Sequence, residues 1–201
     1  GHQVMIAARR VDKLKEIAAN SPSIVGEFIV AELDVSKPES VKKFVATHKD
    51  WLEGVDVLVN NAGLALGRDS LEKVESSEIH QMIETNVFGL LEVTRAVLPF
   101  MVKRKTGHVV NMGSIAALRP YAGGTVSCAT KGAVHAITEA LRQDLAGTGI
   151  RVSTIAPGRV AETEFSNVRF KGDTERAQKV YEGYRVVTAS DVAETIAWVI
   201  E

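Results

Sequence analysis

Five short apolar runs alternate along the chain with longer segments that are apolar on one side only. The runs are QVMIAA, FIVAEL, VDVLVNNAG, HVVNMGS and IRVSTIAPG, and each is almost continuously apolar. Such runs are typical of strands that are buried on both faces, as strands are in a parallel sheet. Because helical patterns separate them, the chain predicts an α/β fold with a doubly wound parallel sheet.

The helical segments have recognisable ends. One begins at Ser36, which we expect to cap the helix in a capping box with Glu39. A long helix covers about residues 77–104 and is interrupted near Pro99, because proline lacks the N–H that a helix interior needs. Another helix covers about residues 127–148.

The chain starts and stops inside predicted elements. An apolar strand pattern begins within the first few residues, and the final DVAETIAWVIE still follows an amphipathic helical pattern. We therefore expect that a beginning and an end are missing. Residues 1–201 suit one domain, in which the polar and charged segment 159–184 is expected to form a loop with short helices over one end of the sheet.

Composition limits the range of partners. The formal net charge of -1 offers no electrostatic reason to expect nucleic acid or an anionic membrane. The single cysteine, Cys128, excludes a disulfide within the chain and suits a reducing, cytoplasmic compartment. No apolar run approaches the about 20 residues that span a bilayer. A small-molecule partner is expected.

Polar residues stand at the ends of all five predicted strands. Ligands of α/β sheets bind beyond the carboxyl ends of the strands, so we expect these residues to meet in one crevice. In chain order these strand ends, with the small residues beside them, are Arg9, Arg10, Asp34, Asn60, Asn61, Ala62, Gly63, Ser114, Pro157 and Gly158.

Several of these residues also have a purely structural interpretation. The NNAG segment at 60–63 can simply form a turn, Ser114 can cap a helix, and Lys131 can be a solvated charge. Lys131 lies four residues after Ser127, so the two share one face of a predicted helix. Their occurrence in one ordered set with Asn86 favours catalysis.

That ordered set resembles the short-chain dehydrogenase/reductase family. Its members carry NNAG after a strand, an asparagine in the long helix, a serine at a strand end, and Tyr-x-x-x-Lys opening the next helix. In that family the tyrosine stands thirteen residues after the serine, which corresponds to position 127. The stretches NNAGLALG, AVLPFM, RPYAGGTV and TEFSNVRFKGD are similar to the NADP-dependent 3-hydroxy acid dehydrogenases, including serine 3-dehydrogenase-like enzymes.

The resemblance implies a Rossmann-like fold, an oxidoreductase acting on small 3-hydroxy acids, and a role for each site residue. Ser114 would donate a hydrogen bond to the substrate oxygen, and Asn86 would hold a water in the proton relay. Lys131 would hold the nicotinamide ribose and lower the pKa of a neighbouring phenol. Cofactor contacts are implied for Asp34 and Val35 at the adenine, Asn60, Asn61, Ala62 and Gly63 at its ribose, and Pro157 and Gly158 at the nicotinamide. No metal ion is implied.

The end of the first run favours NADP(H) over NAD(H). Ala8 stands where an NAD site places an acidic residue, and Arg9 and Arg10 follow. An arginine there accommodates a 2'-phosphate. The alternative is two solvated arginines at the start of a helix, where positive charge is mildly unfavourable.

The substrate side offers weaker signals. Arg159, Arg169 and Lys171 lie in or beside the loop that follows Pro157 and Gly158, and any of them could be solvated. Because the resemblance points to hydroxy acids, we expect one of the three to pair with a substrate carboxylate.

Two features depart from the family pattern. The chain supplies no Gly-x-x-x-Gly-x-Gly turn for the pyrophosphate, so we expect the family's first strand, that turn and the first helix to be absent. Gly123 and Gly124 cannot replace the turn, since they follow Pro120 on the catalytic side. The second departure is Ser127 at the tyrosine position.

Ser127 puts turnover in question, because an aliphatic hydroxyl is a far weaker acid than a phenol, whose pKa is about 10. Tyr121 precedes Ser127 by six residues and is not expected to share the face of Lys131 or to compensate. Two functions stay open. One is an NADP-dependent dehydrogenase with impaired acid–base catalysis. The other is a non-catalytic binding or subunit-assembly protein, in which the helices at about 77–104 and 127–148 pair subunits into a dimer or tetramer, as the resemblance implies.

Overall fold

The computed structural model describes residues 3–21 and 28–201. The expected missing beginning lies outside these described residues. Five strands alternate with helices, and every paired strand runs parallel to its neighbour. The strands are β1 Val4–Ala8, β2 Phe28–Glu32, β3 Val57–Asn60, β4 Gly107–Met112 and β5 Ile150–Ile155. The prediction of an α/β Rossmann-like fold is confirmed.

The strands form two hydrogen-bonded groups. β1 pairs with β2, and β4 pairs with β3 on one side and β5 on the other. In the described part of the chain, the expected single sheet is therefore divided into a two-stranded group, β1 and β2, and a three-stranded group, β3 to β5. No described strand pairs with the edge of β1 that faces away from β2, or with the edge of β3 that faces away from β4. The two groups still share one hydrophobic core, which contains Ala31 of β2 as well as Val109 of β4 and Val152 of β5.

Nine helices lie in the described ranges, with two short 3-10 turns and one π turn. The helices are α1 Val11–Ala19, α2 Pro38–Thr47, α3 Lys49–Leu52, α4 Ser76–Ile83, α5 Leu90–Arg104, α6 Thr125–Asp144, α7 Phe165–Arg169, α8 Thr174–Lys179 and α9 Ala189–Ile200. The 3-10 turns cover Leu71–Lys73 and Ile115–Ala117, and the π turn Glu84–Gly89 joins α4 to α5.

The expected interruption at Pro99 is wrong. α5 continues through Pro99, which is exposed. Water can therefore bind the backbone carbonyl four residues earlier, which receives no hydrogen bond from proline. The irregularity lies instead in the π turn Glu84–Gly89, which contains Asn86. Single π turns inside helices occur frequently at functional sites.

The capping box predicted for α2 does not form. Lys37 is the N-cap residue and makes no side-chain capping bond. Ser36 donates both its N–H and its hydroxyl to Asp34 Oδ1, at 3.0 and 2.7 Å, which removes it from the helix end. Short polar side chains often prefer such a local turn to a helix cap.

The helix predicted over 127–148 is displaced toward the N-terminus. α6 covers Thr125–Asp144, and the chain then turns through Gly147 and Gly149, whose φ angles are +78° and +84°. These left-handed conformations favour glycine and end the helix four residues earlier than expected.

One described helix, Ser76–Arg104 with its π turn, is long and apolar enough by length and composition to cross a membrane. This is weak evidence, because the core helix of a globular protein passes the same test. Val93, Val97 and Met101 on this helix are buried in the core that includes β4.

Candidate active site

Ser114 lies just beyond the end of β4 and begins the 3-10 turn Ile115–Ala117. Its Oγ accepts a hydrogen bond from Ala116 N–H at 3.1 Å, so the predicted capping role is real. This bond uses a lone pair and leaves the hydroxyl hydrogen available to a ligand oxygen. The N–H of Ile115 donates to the Pro157 carbonyl at 3.2 Å, which joins the ends of β4 and β5.

Lys131 reaches the same strand end from α6. Its Nζ donates to the Met112 carbonyl at 2.6 Å, two residues before Ser114. Burial lowers the pKa of Lys131 to about 8, because the charged ammonium loses hydration. A Cβ atom on Gly63 would lie 3.6 Å from this Nζ and 3.4 Å from Asn86 Oδ1. Glycine at position 63 therefore leaves a gap in which a flat ligand can approach the lysine.

Asn86 ties the loop after β3 to α6. Its Oδ1 accepts from Leu64 N–H at 2.8 Å, and its Nδ2 donates to the Leu64 carbonyl at 2.8 Å and to Thr130 Oγ1 at 3.0 Å. The side chain is only 2% exposed. Asn86 therefore positions the NNAG loop, and its role in holding a relay water stays a prediction.

The two asparagines of NNAG have different environments. Asn60 is buried, and its Nδ2 donates to Thr94 Oγ1 at 2.9 Å and to Asn111 Oδ1 at 2.8 Å. Asn111 in turn donates to Thr138 Oγ1 at 3.0 Å. Asn60 thus belongs to a polar network inside the core. Asn61, like Ala62 and Gly63, is exposed, so the cofactor contacts predicted for the loop concern these three positions.

The two arginines after β1 are not equivalent. Arg9 is exposed, whereas Arg10 forms an ion pair with Glu164, and Lys13 of α1 pairs with the same carboxylate, both at 2.5 Å. Hydrogen bonds first from Arg10 and then from Lys13 lower the pKa of Glu164 to about 2. Glu164 could not be predicted from the sequence, because nothing local relates it to Arg10 and Lys13, which lie 154 and 151 positions away.

The predicted adenine contacts lie at the end of β2. Asp34 Oδ1 accepts from Ser36, while Val35 packs against the π turn, where a Cβ on Gly89 would lie 2.8 Å from Val35 Cγ2. Both residues are half-buried.

Tyr121 lies much closer to Ser127 than its sequence position suggested. Its hydroxyl is 3.1 Å from Ser127 Oγ, because the turn at Gly123, with φ +73°, brings the ring back onto α6. Tyr121 therefore contacts the residue at the tyrosine position of the family, although it precedes α6 in the chain. A Cβ on Gly124 would overlap the Tyr121 ring, so the Gly-Gly pair was the signal that could have indicated this approach.

The three candidate carboxylate partners differ in availability. Lys171 pairs with Glu78 at 2.5 Å, and the Arg159 guanidinium lies 3.3 Å from the Tyr184 ring centroid. Arg169 is buried, and it donates from Nε to the Gly67 carbonyl at 2.7 Å.

Arg169 is linked to Ser127 through the Tyr121 hydroxyl. Its Nη1 donates to the Tyr121 hydroxyl at 3.0 Å, and its Nη2 is buried without a partner among the described residues. An unpaired buried donor is costly, so Nη2 is the Arg169 nitrogen that an anionic ligand would satisfy.

An open cleft of about 490 Å³ lies beside the end of β5 and the inner side of α9. Pro157 and Gly158, the predicted nicotinamide contacts, line it together with Asp191 and Val192, whereas Ser114, Ser127 and Lys131 do not. Within residues 3–21 and 28–201, no group of three or more His, Cys, Asp or Glu side chains is arranged to hold a metal ion.

The chain is similar to known proteins along nearly its whole length. The NADP-dependent 3-hydroxy acid dehydrogenase YdfG of Escherichia coli (strain K12) is 44% identical over 200 residues, which cover 99% of this chain and 79% of YdfG. The NADP-dependent 3-hydroxy acid dehydrogenase of Schizosaccharomyces pombe is 40% identical over 199 residues, covering 98% of this chain and 76% of that protein.

A solved serine dehydrogenase, in its closed form complexed with NADP+, superimposes with a TM-score of 0.92 at 44% identity, covering 99% of this chain and 79% of its own. The sequence profile described as short chain dehydrogenase matches residues 1–173. With the fold, the NNAG loop, Ser114 and Lys131 in the expected order, the chain belongs to the short chain dehydrogenase family.

Proposed function

We propose that the chain is an NADP-dependent oxidoreductase that interconverts small 3-hydroxy acids and the corresponding carbonyl compounds. The hydrogen bond from Lys131 to the Met112 carbonyl carries this proposal, because it holds the ammonium at the strand end that bears Ser114. Relatives that match nearly the whole chain are NADP-dependent 3-hydroxy acid dehydrogenases by name.

The residues present fit NADP(H) at its nicotinamide end. The gap over Gly63 admits a ribose beside Lys131, and Pro157 and Gly158 line open space next to the turn that starts at Ser114. Exposed Arg9 suits a 2'-phosphate. When bound, the nicotinamide supplies the hydride chemistry. Ser114 donates to the substrate oxygen, and Lys131 donates to the ribose.

Arg169 is the best of the three candidates for the substrate carboxylate. It lies on the Ser127 side of the site, and one of its nitrogens lacks a partner within the described chain. Lys171 is exposed and already pairs with Glu78, and half-exposed Arg159 already stacks on Tyr184. A buried guanidinium also offers a carboxylate a stronger pairing than a solvated one.

Ser127 lowers the rate of this chemistry. Ser127→Tyr is expected to raise kcat for NADPH oxidation with a small 3-oxo acid by about 10²-fold, the usual contribution of general acid–base catalysis. The measurement is NADPH absorbance against a panel of 3-oxo and 3-hydroxy acids, with S127F as the matched control that restores a ring without a hydroxyl. No turnover by S127Y with any of these acids would contradict the proposed function.

The second candidate is a non-catalytic assembly protein on the same scaffold. It is supported by exposed apolar side chains on one side of the helix around α5: Phe88, Leu91 and Val102. Calorimetric titration with NADPH separates the two candidates, because only the oxidoreductase requires cofactor binding. Both candidate functions include the pairing of subunits through these helices. We propose that the protein is a homo-oligomer in the cytoplasm.

A further inference from the structure

A continuous chain of hydrogen bonds leads from buried Arg169 to Ser127. Arg169 Nη1 lies 3.0 Å from the Tyr121 hydroxyl oxygen, which lies 3.1 Å from Ser127 Oγ, and Ser127 Oγ lies 3.1 Å from the Gly124 carbonyl. A guanidinium can only donate and a carbonyl can only accept. The Tyr121 oxygen therefore accepts from Arg169, and the Ser127 hydrogen points to Gly124. The phenolic hydrogen of Tyr121 is then directed at Ser127 Oγ.

The local backbone is built to hold Tyr121 in this position. Gly124 has no Cβ where the ring lies, since a Cβ there would be 2.7 Å from Tyr121 Cζ. Gly123 adopts φ +73°, and a Cβ on it would overlap the main chain of Arg68. The guanidinium carbons of Arg68 and Arg169 each lie 5.4 Å from the ring centroid, within the range of cation–π attraction.

We propose that Tyr121 supplies the proton that Ser127 hands to the substrate, so that a phenol still serves this site from outside the usual position. This inference rests on the proposed function. Ser127 stays on the face of α6 that carries Lys131, one turn away. Tyr121 acts through Ser127, and Arg169 holds the phenol oxygen in place.

The step balances in the reducing direction. Bound NADPH would supply a hydride to the carbonyl carbon, and the carbonyl oxygen takes the Ser127 hydrogen as that hydroxyl rotates away from Gly124. Ser127 Oγ takes the Tyr121 hydrogen in the same movement. The remaining phenolate accepts a hydrogen bond from Arg169 and regains a proton from solvent. Oxidation runs through the same groups in reverse.

Tyr121→Phe is the first test, because it removes one oxygen and keeps the ring that packs on Gly124. We expect kcat to fall by at least about tenfold, while KM and the Kd for NADPH stay within about twofold. The part of the pH–kcat profile that reports ionisation of the Tyr121 phenol, here called the relay limb, should vanish. Tyr184→Phe is the matched control, since Tyr184 is 57% exposed and phenylalanine keeps the ring that contacts Arg159. Unchanged kcat and pH profile in Y121F would overturn the relay.

Two further variants keep the test decisive if Y121F folds poorly. Gly124→Ala places a Cβ against the Tyr121 ring and is expected to lower kcat by a similar factor, whereas Gly132→Ala, with no atom near its Cβ position, leaves it unchanged. Difluorotyrosine at position 121 is a stronger acid of nearly the same shape, and it should move the relay limb of the profile to lower pH. A limb that does not move contradicts the proposal.

A readout without turnover completes the test. In the free chain, the NMR shift of the Tyr121 phenolic carbon should change in S127A and stay constant in Tyr184→Phe, because only the first removes the acceptor of the phenolic hydrogen.

The relay and the proposed function fail in different ways. If S127Y turns over 3-oxo acids and the unmodified chain does not, the relay is wrong and the proposed function stands. If neither turns over, both are wrong.

Discussion

Lys131 shows how one side chain depends on its surroundings. Burial lowers its pKa from 10.5 to about 8, so the folded chain releases this proton at lower pH than the unfolded chain. Below pH 8 the ammonium is charged in both states. Between pH 8 and 10.5 the unfolded chain binds more protons, and the free energy of unfolding therefore rises with pH across that window.

We expect the Lys131 side-chain carbon next to Nζ to titrate near pH 8 by NMR, with Lys131→Met used to assign the signal. In urea unfolding, K131M should lack the part of the stability gain between pH 8 and 10.5 that the wild-type lysine contributes. Titration near 10.5 would show that the ammonium is hydrated rather than buried.

His108 gives a second prediction at this scale. It lies in β4 and is 2% exposed, with Nε2 2.9 Å from Ser153 Oγ and Nδ1 without a partner among the described residues. Burial, and then the charge of Arg151, lower the pKa of His108 below 6.5. The unfolded chain takes up this proton first, so stability contributed by neutral His108 is lost as pH falls through 6.5.

His108→Gln removes the titrating group and keeps a polar side chain. The loss of unfolding free energy on going from about pH 7.5 to about 5.5 should be smaller in H108Q than in the wild type, measured by urea unfolding at both values. His80→Gln is the matched control, because His80 is exposed. Equal pH dependence in wild type and H108Q would remove His108 as the cause.

Single residues of the site could be predicted where chain order alone identifies them. Ser114, Lys131 and Asn86 follow from their spacing, because the family pattern is local to each element. The approach of Tyr121 to Ser127 depends on the left-handed turn at Gly123 rather than on sequence distance, and the Gly123–Gly124 pair is the local signal for it.

Elements were easier to predict in their cores than at their ends. The five strands followed from runs that are mostly apolar, as strands of a parallel sheet usually are, although β4 also buries the polar side chains of His108 and Asn111. Helix ends depended on competition between neighbours that the pattern does not show: Ser36 bonds to Asp34 instead of capping α2, and exposed Pro99 does not break α5. The division of the strands into two groups depends on pairing partners, which no local pattern reports.

The junction between the π turn and the loop after β2 gives a prediction at the element scale. A Cβ on Gly89 would lie 2.8 Å from Val35 Cγ2 and 3.0 Å from the Val35 carbonyl, so backbone as well as side chain must shift. Gly89→Ala should lower the free energy of unfolding by about 1–3 kcal/mol, the usual cost of overpacking.

Gly132→Ala is the matched control for G89A. Gly132 lies inside α6, and nothing lies within 4 Å of its Cβ position, so alanine should stabilise the helix by about 0.5–1 kcal/mol. Urea unfolding of both variants measures the two effects. Opposite signs are the expected result, and destabilisation of similar size in both would mean that the contact with Val35 is not what limits position 89.

At the scale of the whole molecule, the shared core holds the two strand groups together. Phe44 of α2 belongs to the same buried cluster as Val97 of α5, and these two helices pack on each other. Glu164 adds a polar link, since it joins the segment before α7 to α1 through Arg10 and Lys13. The end of β1 and the segment before α7 are therefore connected by charge.

The outer side of the long helix carries the last prediction. Phe88, Leu91 and Val102 are 60%, 41% and 43% exposed, and spacings of 3 and 11 residues place them on one side of the helix. Apolar side chains aligned in this way favour burial against a second copy of the chain. We expect a dimer or tetramer by sedimentation velocity, and Leu91→Glu should shift it toward monomer. Ile17→Glu, at an apolar position of α1 that is 53% exposed, should leave the assembly unchanged. If the wild-type chain sediments as a monomer, or if both variants weaken assembly equally, this side of the helix is not the interface.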